Sequence, residues 1–378
     1  MSRRTVFIPY SPKTILNKFK RADPTFWVRY TVYPYIGCQH GCEFCYCREE
    51  KFYPYEDVND FAYVIKVKQN APQLLRRALQ RAPVDVVGTG DYQALERKFK
   101  ISRRLLEVCL ELGFPIFDLE RSPLVLRDLD LLQQINLKAR ATVAFSIIAA
   151  PGSPAYDRVC QLERLAPPSA KRFAAMQRLA EAGILTGTVC MPVLPGLCDT
   201  PENLDSVARW TAEHGGRFMV FGGLTLANQQ REWFLRVLQE HMPDLVDFYQ
   251  RMYPPGSYGP AGDWWLRTAC LAREACERHG IQDMMPRPLI PGDKRLLNKR
   301  VVEALSQKMH VMDLDRRSQS SIWACRKAAW AIEDMEQDLG LVYRVMGRKG
   351  LESIPQVGPR LAGEVERLIE TLTPVREI

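Results

Sequence analysis

Short apolar runs rich in β-branched residues alternate with longer segments of helical periodicity between about residue 30 and residue 225. The apolar runs predict seven strands, at 31–37, 62–67, 84–89, 114–119, 141–148, 184–191 and 217–223. The periodic segments predict intervening helices, at 72–80, 101–112, 124–135, 170–183 and 201–215. This alternation is typical of a parallel sheet with crossover helices, so we predict an α/β fold with the order of a (β/α) barrel.

The loops that follow the strands of such a barrel share one face, and that face carries the chemistry. We therefore expect one face of the barrel to collect the loops after residues 37, 89, 119, 148, 191 and 223. The rest of the chain is mostly helical, with a turn-rich interruption at 253–262 and a basic tail. The predicted divisions are an N-terminal arm (1–24), the barrel (25–228), a helical extension (229–292) and a basic helical domain (293–378).

Composition places the protein among ordinary globular chains, since 46% of its 378 residues are hydrophobic and 25% are charged. The net charge of +8 is compatible with a polyanionic partner and equally with an ordinary basic enzyme. The first residues carry no apolar run, and no later run is long enough to span a membrane, so we expect a cytoplasmic protein that binds no membrane. Eleven cysteines, four of them within ten residues, do not resemble a secreted disulfide framework.

Three of those cysteines, Cys38, Cys42 and Cys45, form a C-x3-C-x2-C motif directly after the first predicted strand. Three thiolates leave one iron of a [4Fe-4S] cube open, and a small molecule with an amino and a carboxylate group can chelate that iron. S-adenosylmethionine (SAM) is such a molecule, and an electron from the cluster cleaves its sulfonium to give a 5′-deoxyadenosyl radical. The motif resembles the signature of the radical SAM superfamily. That resemblance also implies that Phe44, just before the last cysteine, borders the adenine.

A zinc knuckle is the alternative, with Cys47 or His40 as the fourth ligand. Zinc sites usually pair two separated ligand elements, whereas all of these candidates lie on one loop with barrel strands after it. Cys47 departs from the three-cysteine pattern and is expected to pack beside the cluster as a small apolar residue.

A closer resemblance joins residues 28–225 to the spore-photoproduct-lyase-like branch of the superfamily. It is carried by the strings VYPYIGCQHGCEFCYCRE (32–49), GTGDYQALE (88–96), SPLVLRDLDLL (122–132) and MPVLPGLCD (191–199). The resemblance implies a partial (β/α) barrel of the radical SAM type with a C-terminal helical domain. It also implies that the methionyl end of SAM is met by Gly88, Thr89, Gly90 and Asp91. Weaker candidates for the ribose or carboxylate of SAM are Ser122, Arg127 and Ser146, for which a helix cap and a surface arginine are equal alternatives.

Gly88 departs from this branch, because photoproduct lyases have at that position the cysteine that returns a hydrogen atom to the product radical. A direct photoproduct lyase reaction is therefore in doubt. Other thiols in the region are Cys109, Cys190 and Cys198. Cys198 follows the strand at 184–191 and is the candidate hydrogen donor, with simple packing as its alternative.

The C-terminal segment 348–369 resembles a helix-hairpin-helix, within a region of about residues 340–370. Such a hairpin exposes backbone N–H groups at a helix N-terminus, which bind a nucleic-acid backbone without reading its sequence. The predicted nucleic-acid contacts are Arg348, Lys349, Gly358 and Arg360. Gln356 departs from the pattern, because a glycine is usual there. A helical hairpin that merely packs on the barrel is the alternative.

Our leading hypothesis is a radical SAM enzyme that abstracts hydrogen from nucleic acid, foremost DNA, in lesion repair or base modification. The reaction would be of lyase or oxidoreductase type, and a flavodoxin or ferredoxin would supply the electron. One alternative is a radical SAM maturase or small-molecule enzyme whose tail is architectural. The other is a non-catalytic, zinc-stabilised nucleic-acid-binding protein.

Overall fold

A computed structural model describes residues 3–53 and 57–372, and the chain divides into two compact units. The first unit comprises the chain up to Phe19 and Val28–Met285. The second comprises Lys20–Trp27 and the chain from Pro286 onward. Among the residues described, no helix is both long and apolar enough to span a bilayer.

The first unit contains two sheets. The strands, in chain order, are β1 (Val6–Tyr10), β2 (Asn17–Lys18), β3 (Tyr30–Thr31), β4 (Tyr35–Ile36), β5 (Val64–Lys68), β6 (Val87–Gly90), β7 (Ile116–Glu120), β8 (Ala141–Ser146), β9 (Leu185–Val193) and β10 (Met219–Gly223). The larger sheet has the order β10-β9-β8-β7-β6-β3-β2, in which all neighbours are parallel except β2 and β3. The predicted α/β barrel order is confirmed.

Helices cover this sheet because each crossover between parallel strands must return along the sheet face. The helices of the first unit are α1 (Ala71–Leu79), α2 (Glu96–Phe99), α3 (Ile101–Leu112), α4 (Leu129–Lys138), α5 (Tyr156–Leu162), α6 (Ser169–Glu181), α7 (Pro201–Glu213), α8 (Asn228–His241), α9 (Val246–Met252) and α10 (Trp264–Arg278). Short 3-10 helices lie at Tyr46–Arg48, Val58–Ala62, Pro123–Asp128 and Pro243–Leu245. Left-handed glycines follow two of the helices, Gly183 after α6 and Gly215 after α7, as the sequence predicted.

The segment before the cysteine loop differs from the prediction. Instead of one strand over 31–37, β3 joins the larger sheet and β4 joins a small sheet of order β1-β5-β4. Pro34 lies between the two strands and has no N–H to donate to a ladder, which explains the break. The strand predicted at 62–67 is β5, and it also belongs to the small sheet rather than to the barrel.

The second unit is helical. Its helices are α11 (Leu296–Leu314), α12 (Gln319–Asp334), α13 (Leu339–Glu352) and α14 (Pro359–Leu372). Their apolar faces bury Leu305, Ile332 and Val365 completely. A buried ion pair joins Arg287 to Glu333, with two contacts of 2.6 Å between guanidinium and carboxylate.

Asp118 on β7 is an unusual carboxylate, because both of its oxygens are buried and neither has a hydrogen-bond partner. Burial, with a smaller contribution from nearby Asp128, raises the pKa of Asp118 to about 8. The folded protein therefore keeps a proton on Asp118 that the unfolded chain releases above its ordinary pKa of 3.8. This carboxyl costs stability progressively as the pH rises between those two values.

We expect the Asp118→Asn variant to be more stable than the wild type, by about 1–3 kcal/mol near pH 8, because the amide cannot acquire the buried charge. The gain should shrink towards pH 5, and urea unfolding across this range measures it. The control is Asp130→Asn, since Arg103 lowers the pKa of Asp130 and the substitution should give no gain at high pH. A gain at Asp118 that did not depend on pH would contradict the account.

Candidate active site

The cysteine loop follows β4 and is built from consecutive tight turns. The Gly41 N–H donates to the Cys38 carbonyl oxygen at 3.0 Å, and the Cys45 N–H donates to the Cys42 carbonyl oxygen at 3.2 Å. Gly41 has φ +58°, and a Cβ there would lie 3.0 Å from Leu165. Glycine suits this position because its backbone adopts a positive φ and there is little space for a side chain. The tight turns keep the three cysteines within one short loop.

Arg48 fixes the backbone of this loop from within the protein. Its guanidinium donates to the carbonyl oxygens of Gly41 at 2.8 Å and Cys42 at 3.1 Å, and it contacts the Glu43 carboxylate at 3.3 Å. Only 3% of the Arg48 side chain is exposed. The loop carbonyls are thus satisfied by a buried cation.

Two aromatic rings hold Arg48 in place. Its guanidinium carbon lies 4.6 Å from the centre of the Phe61 ring and 4.5 Å from that of Trp233 on α8. Trp233 also donates from Nε1 to Glu43 at 2.9 Å. Helix α8 therefore supports the cysteine loop through both partners of the buried ion pair.

The thiols differ in their surroundings. Cys42 is buried, whereas Cys38, Cys45 and Cys47 are partly exposed. Burial raises the pKa of Cys42 to about 11, and a hydrogen bond from Cys47 lowers the pKa of Cys45. All four cysteines are free thiols available for ligation.

A zinc knuckle and an iron-sulfur cluster require different ligand geometries. Within residues 3–53 and 57–372, no group of three or more His, Cys, Asp or Glu side chains is arranged to hold a single metal ion. A zinc site needs its ligands around one ion, whereas each thiolate of an iron-sulfur cube binds a different iron. Burial, together with Arg121 and Arg172, lowers the pKa of His40 to about 3, so its ring is neutral.

The turn after β6 is the second part of the site. Gly90 and Asp91 both have positive φ, at +125° and +80°. The Asp91 N–H donates to Oε1 of Glu120 at 2.7 Å, and the Tyr92 N–H donates to the same carboxylate at 3.2 Å. A Cβ at Gly90 would lie 2.7 Å from that oxygen. Glu120, at the end of β7, therefore holds this strained turn.

Gln93 joins this turn to the cysteine loop. Its Nε2 donates to the Asp91 carboxylate at 2.6 Å and to the Gly37 carbonyl at 3.2 Å, while its Oε1 accepts from the Gln39 N–H at 2.8 Å. Burial raises the pKa of Asp91 to about 7. The Asp91 side chain, which lies beside the cysteine loop, suits the amino end of a zwitterion.

Thr89 has a different orientation from its neighbours. It pairs with Asp118 of β7, so the two side chains share a sheet face, and the Thr89 hydroxyl is buried without a hydrogen-bond partner. Gly88 and Gly90 lie on the opposite face. On the face opposite to the Thr89 side chain, β6 therefore presents only backbone at Gly88 and Gly90.

The other predicted cofactor residues have local partners. Ser122 caps the 3-10 helix by accepting from the Leu124 N–H at 3.2 Å. Arg127 contacts Glu96 at 3.0 Å and Asp128 at 2.6 Å. The remaining two also lie in the site region: Ser146 donates to the Met191 carbonyl at 2.9 Å, and Phe44 is buried with its ring 5.4 Å from the Arg121 guanidinium. Their contact with SAM stays a prediction.

The sequence reasoning missed a buried charged group next to the cysteine loop. Arg121, immediately after β7, and Arg172 on α6 both pair with Glu163. Burial alone would raise the pKa of Glu163, but Arg172 and Arg121 lower it below the ordinary value. Two cations and one carboxylate leave a net positive charge beside Cys42. The position of Arg121 at a strand end was the available signal.

The candidate hydrogen donor Cys198 is completely buried in the hydrophobic core, as are Cys109 and Cys190. Burial raises the pKa of all three thiols. The packing alternative is therefore favoured, and a donor role for Cys198 stays a prediction.

The hairpin of the second unit joins α13 to α14. Gln356, where the family pattern has glycine, adopts φ +67°. Arg348 is already engaged, donating to the Pro359 carbonyl at 2.8 Å and lying 3.6 Å from Glu352. Lys349 and Gly358 are exposed at the surface, as is Arg360. The predicted nucleic-acid contacts thus divide into one occupied arginine and three exposed residues.

Comparisons by sequence identify relatives of known origin. An uncharacterized protein of Mycobacterium tuberculosis is 30% identical over 255 residues, which cover 66% of this chain and 74% of the relative. An uncharacterized protein of Methanocaldococcus jannaschii is 30% identical over 218 residues, covering 57% of this chain and 77% of the relative. No family model matches the chain.

Comparison by structure identifies the fold. A spore photoproduct lyase variant superposes with a TM-score of 0.54 at 17% identity, covering 73% of this chain and 81% of that one. Another, with a dinucleoside spore photoproduct, has a TM-score of 0.53 at 16% identity, covering 73% and 80%. The chain thus has the partial-barrel fold of spore photoproduct lyase, and it carries the three-cysteine loop after β4. By sequence, the chain belongs to the same family as the mycobacterial protein.

A [4Fe-4S] cluster and SAM are the cofactors that the resemblance of the cysteine motif to the radical SAM signature implies. The residues present fit them. Cys38, Cys42 and Cys45 would supply three thiolates from one fixed loop, and a Cβ at Gly90 would lie only 2.7 Å from Glu120.

We expect the Cys42→Ala variant to lose iron and sulfide incorporation, because two thiolates do not hold a cubane that three protein ligands normally fix. Iron and sulfide analysis after anaerobic reconstitution measures this. The matched control is Cys160→Ala, an exposed thiol on α5, which should incorporate the cluster normally. Equal iron content in the two variants would remove the basis of the assignment.

We expect the Glu120→Ala variant to bind SAM about tenfold more weakly, because the Asp91 and Tyr92 amides lose their acceptor and the turn relaxes. Equilibrium dialysis of the reconstituted protein measures the dissociation constant. Glu120→Gln keeps an acceptor oxygen and should bind nearly as the wild type does. Unchanged affinity in Glu120→Ala would exclude this positioning role.

Proposed function

We propose that this protein is a radical SAM enzyme that abstracts hydrogen from nucleic acid, foremost DNA, in lesion repair or base modification. The observation that carries the proposal is the three-cysteine loop at the end of β4, joined by Gln93 to the turn after β6. The turn follows a strand of the larger sheet, and the carboxyl ends of such strands carry the chemistry in barrels of this kind.

The bound cofactors would supply one reaction, the reductive cleavage of SAM to a 5′-deoxyadenosyl radical. The chain itself does the positioning. Arg48 fixes the loop that carries the thiols, and Glu120 fixes the turn that meets the methionyl group. Arg121, a half-buried arginine paired with Glu163, is part of a group with a net positive charge that suits the SAM carboxylate.

Exposed aromatic rings beside the cysteine loop support nucleic acid as the substrate. They are Tyr46, Phe52 and Tyr258, with exposed fractions of 49%, 42% and 51%. The rings of Tyr46 and Phe52 are 5.3 Å apart. Lys51 lies 4.7 Å from the centre of the Phe52 ring and 5.9 Å from that of Tyr258. Exposed aromatic rings are suited to unstacked bases, while Lys51 itself pairs with the Glu49 carboxylate at 2.8 Å.

The similarity in fold to spore photoproduct lyase, one structure of which holds a dinucleoside photoproduct, adds a second line of support. The photoproduct lyase reaction itself is not proposed. Gly88 provides no thiol, and a Cβ there would lie 3.1 Å from Val28 and 3.3 Å from Thr31. The substrate radical must therefore be resolved in another way.

The test is anaerobic reconstitution, followed by reduction with dithionite in the presence of SAM. We expect 5′-deoxyadenosine to form, and ultraviolet-irradiated DNA to increase its yield above that with intact DNA. Formation without any stimulation by nucleic acid would favour a maturase or small-molecule enzyme. Failure to form 5′-deoxyadenosine would contradict the radical assignment.

We expect the Phe52→Ala and Tyr258→Ala variants each to bind a single-stranded oligonucleotide about tenfold more weakly, since one stacked base contributes about 1–3 kcal/mol. Fluorescence anisotropy of the labelled oligonucleotide measures this. The control is Phe19→Ala, which removes a similarly exposed ring elsewhere. If all three variants bind equally, the aromatic rings do not receive the bases.

A further inference from the structure

A groove of about 690 Å³ lies in the second unit, between the end of α11 and the beginnings of α12 and α14. Its polar lining contains four cations and two hydroxyl groups, on Lys308, Arg317, Ser318, Ser321, Arg360 and Arg367. We call these six residues the basic groove. It is distinct from the hairpin tip predicted from the sequence and shares only Arg360 with it.

The cations of the basic groove are incompletely neutralised. Two carboxylates, Asp315 and Glu364, also line it. Glu364 pairs with Lys308, and Asp315 is 3.9 Å from Arg317, a weak contact at the surface. Within the described part of the chain, Arg360 and Arg367 form no ion pair. A positive charge therefore remains in a concave space.

The neutral donors point to an oxyanion. Ser318 precedes α12, a helix of 16 residues, and its hydroxyl is 2.8 Å from that of Ser321. Arg360 lies in the first turn of α14, so the positive ends of two helix dipoles border the same groove. Guanidinium groups and hydroxyls together match phosphate oxygens, which accept several hydrogen bonds at once.

We propose that the basic groove binds the phosphate backbone of the nucleic-acid substrate and thereby docks it to the second unit. This inference rests on the proposed function, since it assigns a second contact region to the same substrate. In this proposal the main electrostatic contact with DNA is the basic groove and not Arg348, which already contacts Pro359 and Glu352. Phosphate contacts of this kind add affinity without reading the base sequence.

The test compares two double variants of the full-length chain by fluorescence anisotropy with a labelled DNA duplex. Arg317→Ala with Arg367→Ala removes two groove cations. Lys327→Ala with Arg344→Ala removes the same charge from exposed positions of the second unit outside the groove. We expect the groove variant to bind at least about thirtyfold more weakly at low salt. The slope of log Kd against log salt should also fall by about two, because two phosphate contacts are lost.

Each outcome decides the proposal. Normal binding by the groove variant, with a wild-type salt slope, would overturn the groove but leave the proposed function intact. Equal weakening of both double variants would also overturn it, since net charge alone would then explain the effect. If the groove variant instead bound DNA normally but accepted electrons slowly from an acidic flavodoxin, the groove would be a docking site for the electron donor.

DNA binding by the basic groove and cleavage of SAM can be tested separately. Formation of 5′-deoxyadenosine in the groove variant, without DNA, should match the wild type, because the groove lies outside the described cofactor site. If wild-type protein neither bound DNA nor responded to it in that assay, the proposed substrate and the groove would both be wrong, while the radical SAM class would stand.

Discussion

The buried guanidinium of Arg48 is the constraint on which the active site depends. It donates hydrogen bonds to two carbonyl oxygens of the cysteine loop, pairs with Glu43 and packs between two aromatic rings. An unpaired charge at this depth would be costly, so removal of either partner of the pair should destabilise the loop by about 3–5 kcal/mol. The arrangement couples α8, far along the chain, to the segment that carries the thiols.

A buried carboxylate fixes the turn after β6 in the same way. Asp91 adopts positive φ because Glu120 accepts its N–H, and Gly90 is required because any side chain would meet that carboxylate. Glu120 lies on the next strand, so the pairing of β6 with β7 sets the distance between the turn and the Glu120 carboxylate. The active site is thus preorganised by the backbone and by buried polar side chains.

Local patterns were sufficient to predict the barrel order, the glycine stops of α6 and α7, and the cysteine motif. They were not sufficient for the split of 31–37 into two sheets, because strand pairing depends on distant partners such as β1. Nor did they indicate Arg48 or Glu163, since a charged residue becomes informative only when its burial is known. Arg360 was predicted as a hairpin contact, whereas the structure shows that it also lines a groove with side chains from two other helices.

The central claim is that three cysteines of one loop hold a [4Fe-4S] cluster with an iron open to SAM. Electron paramagnetic resonance of the reconstituted, dithionite-reduced protein tests it most directly. We predict the signal of a reduced [4Fe-4S] cluster that changes on addition of SAM, because SAM binds the open iron. A cluster signal that SAM leaves unchanged, or the absence of any cluster signal, would contradict the account.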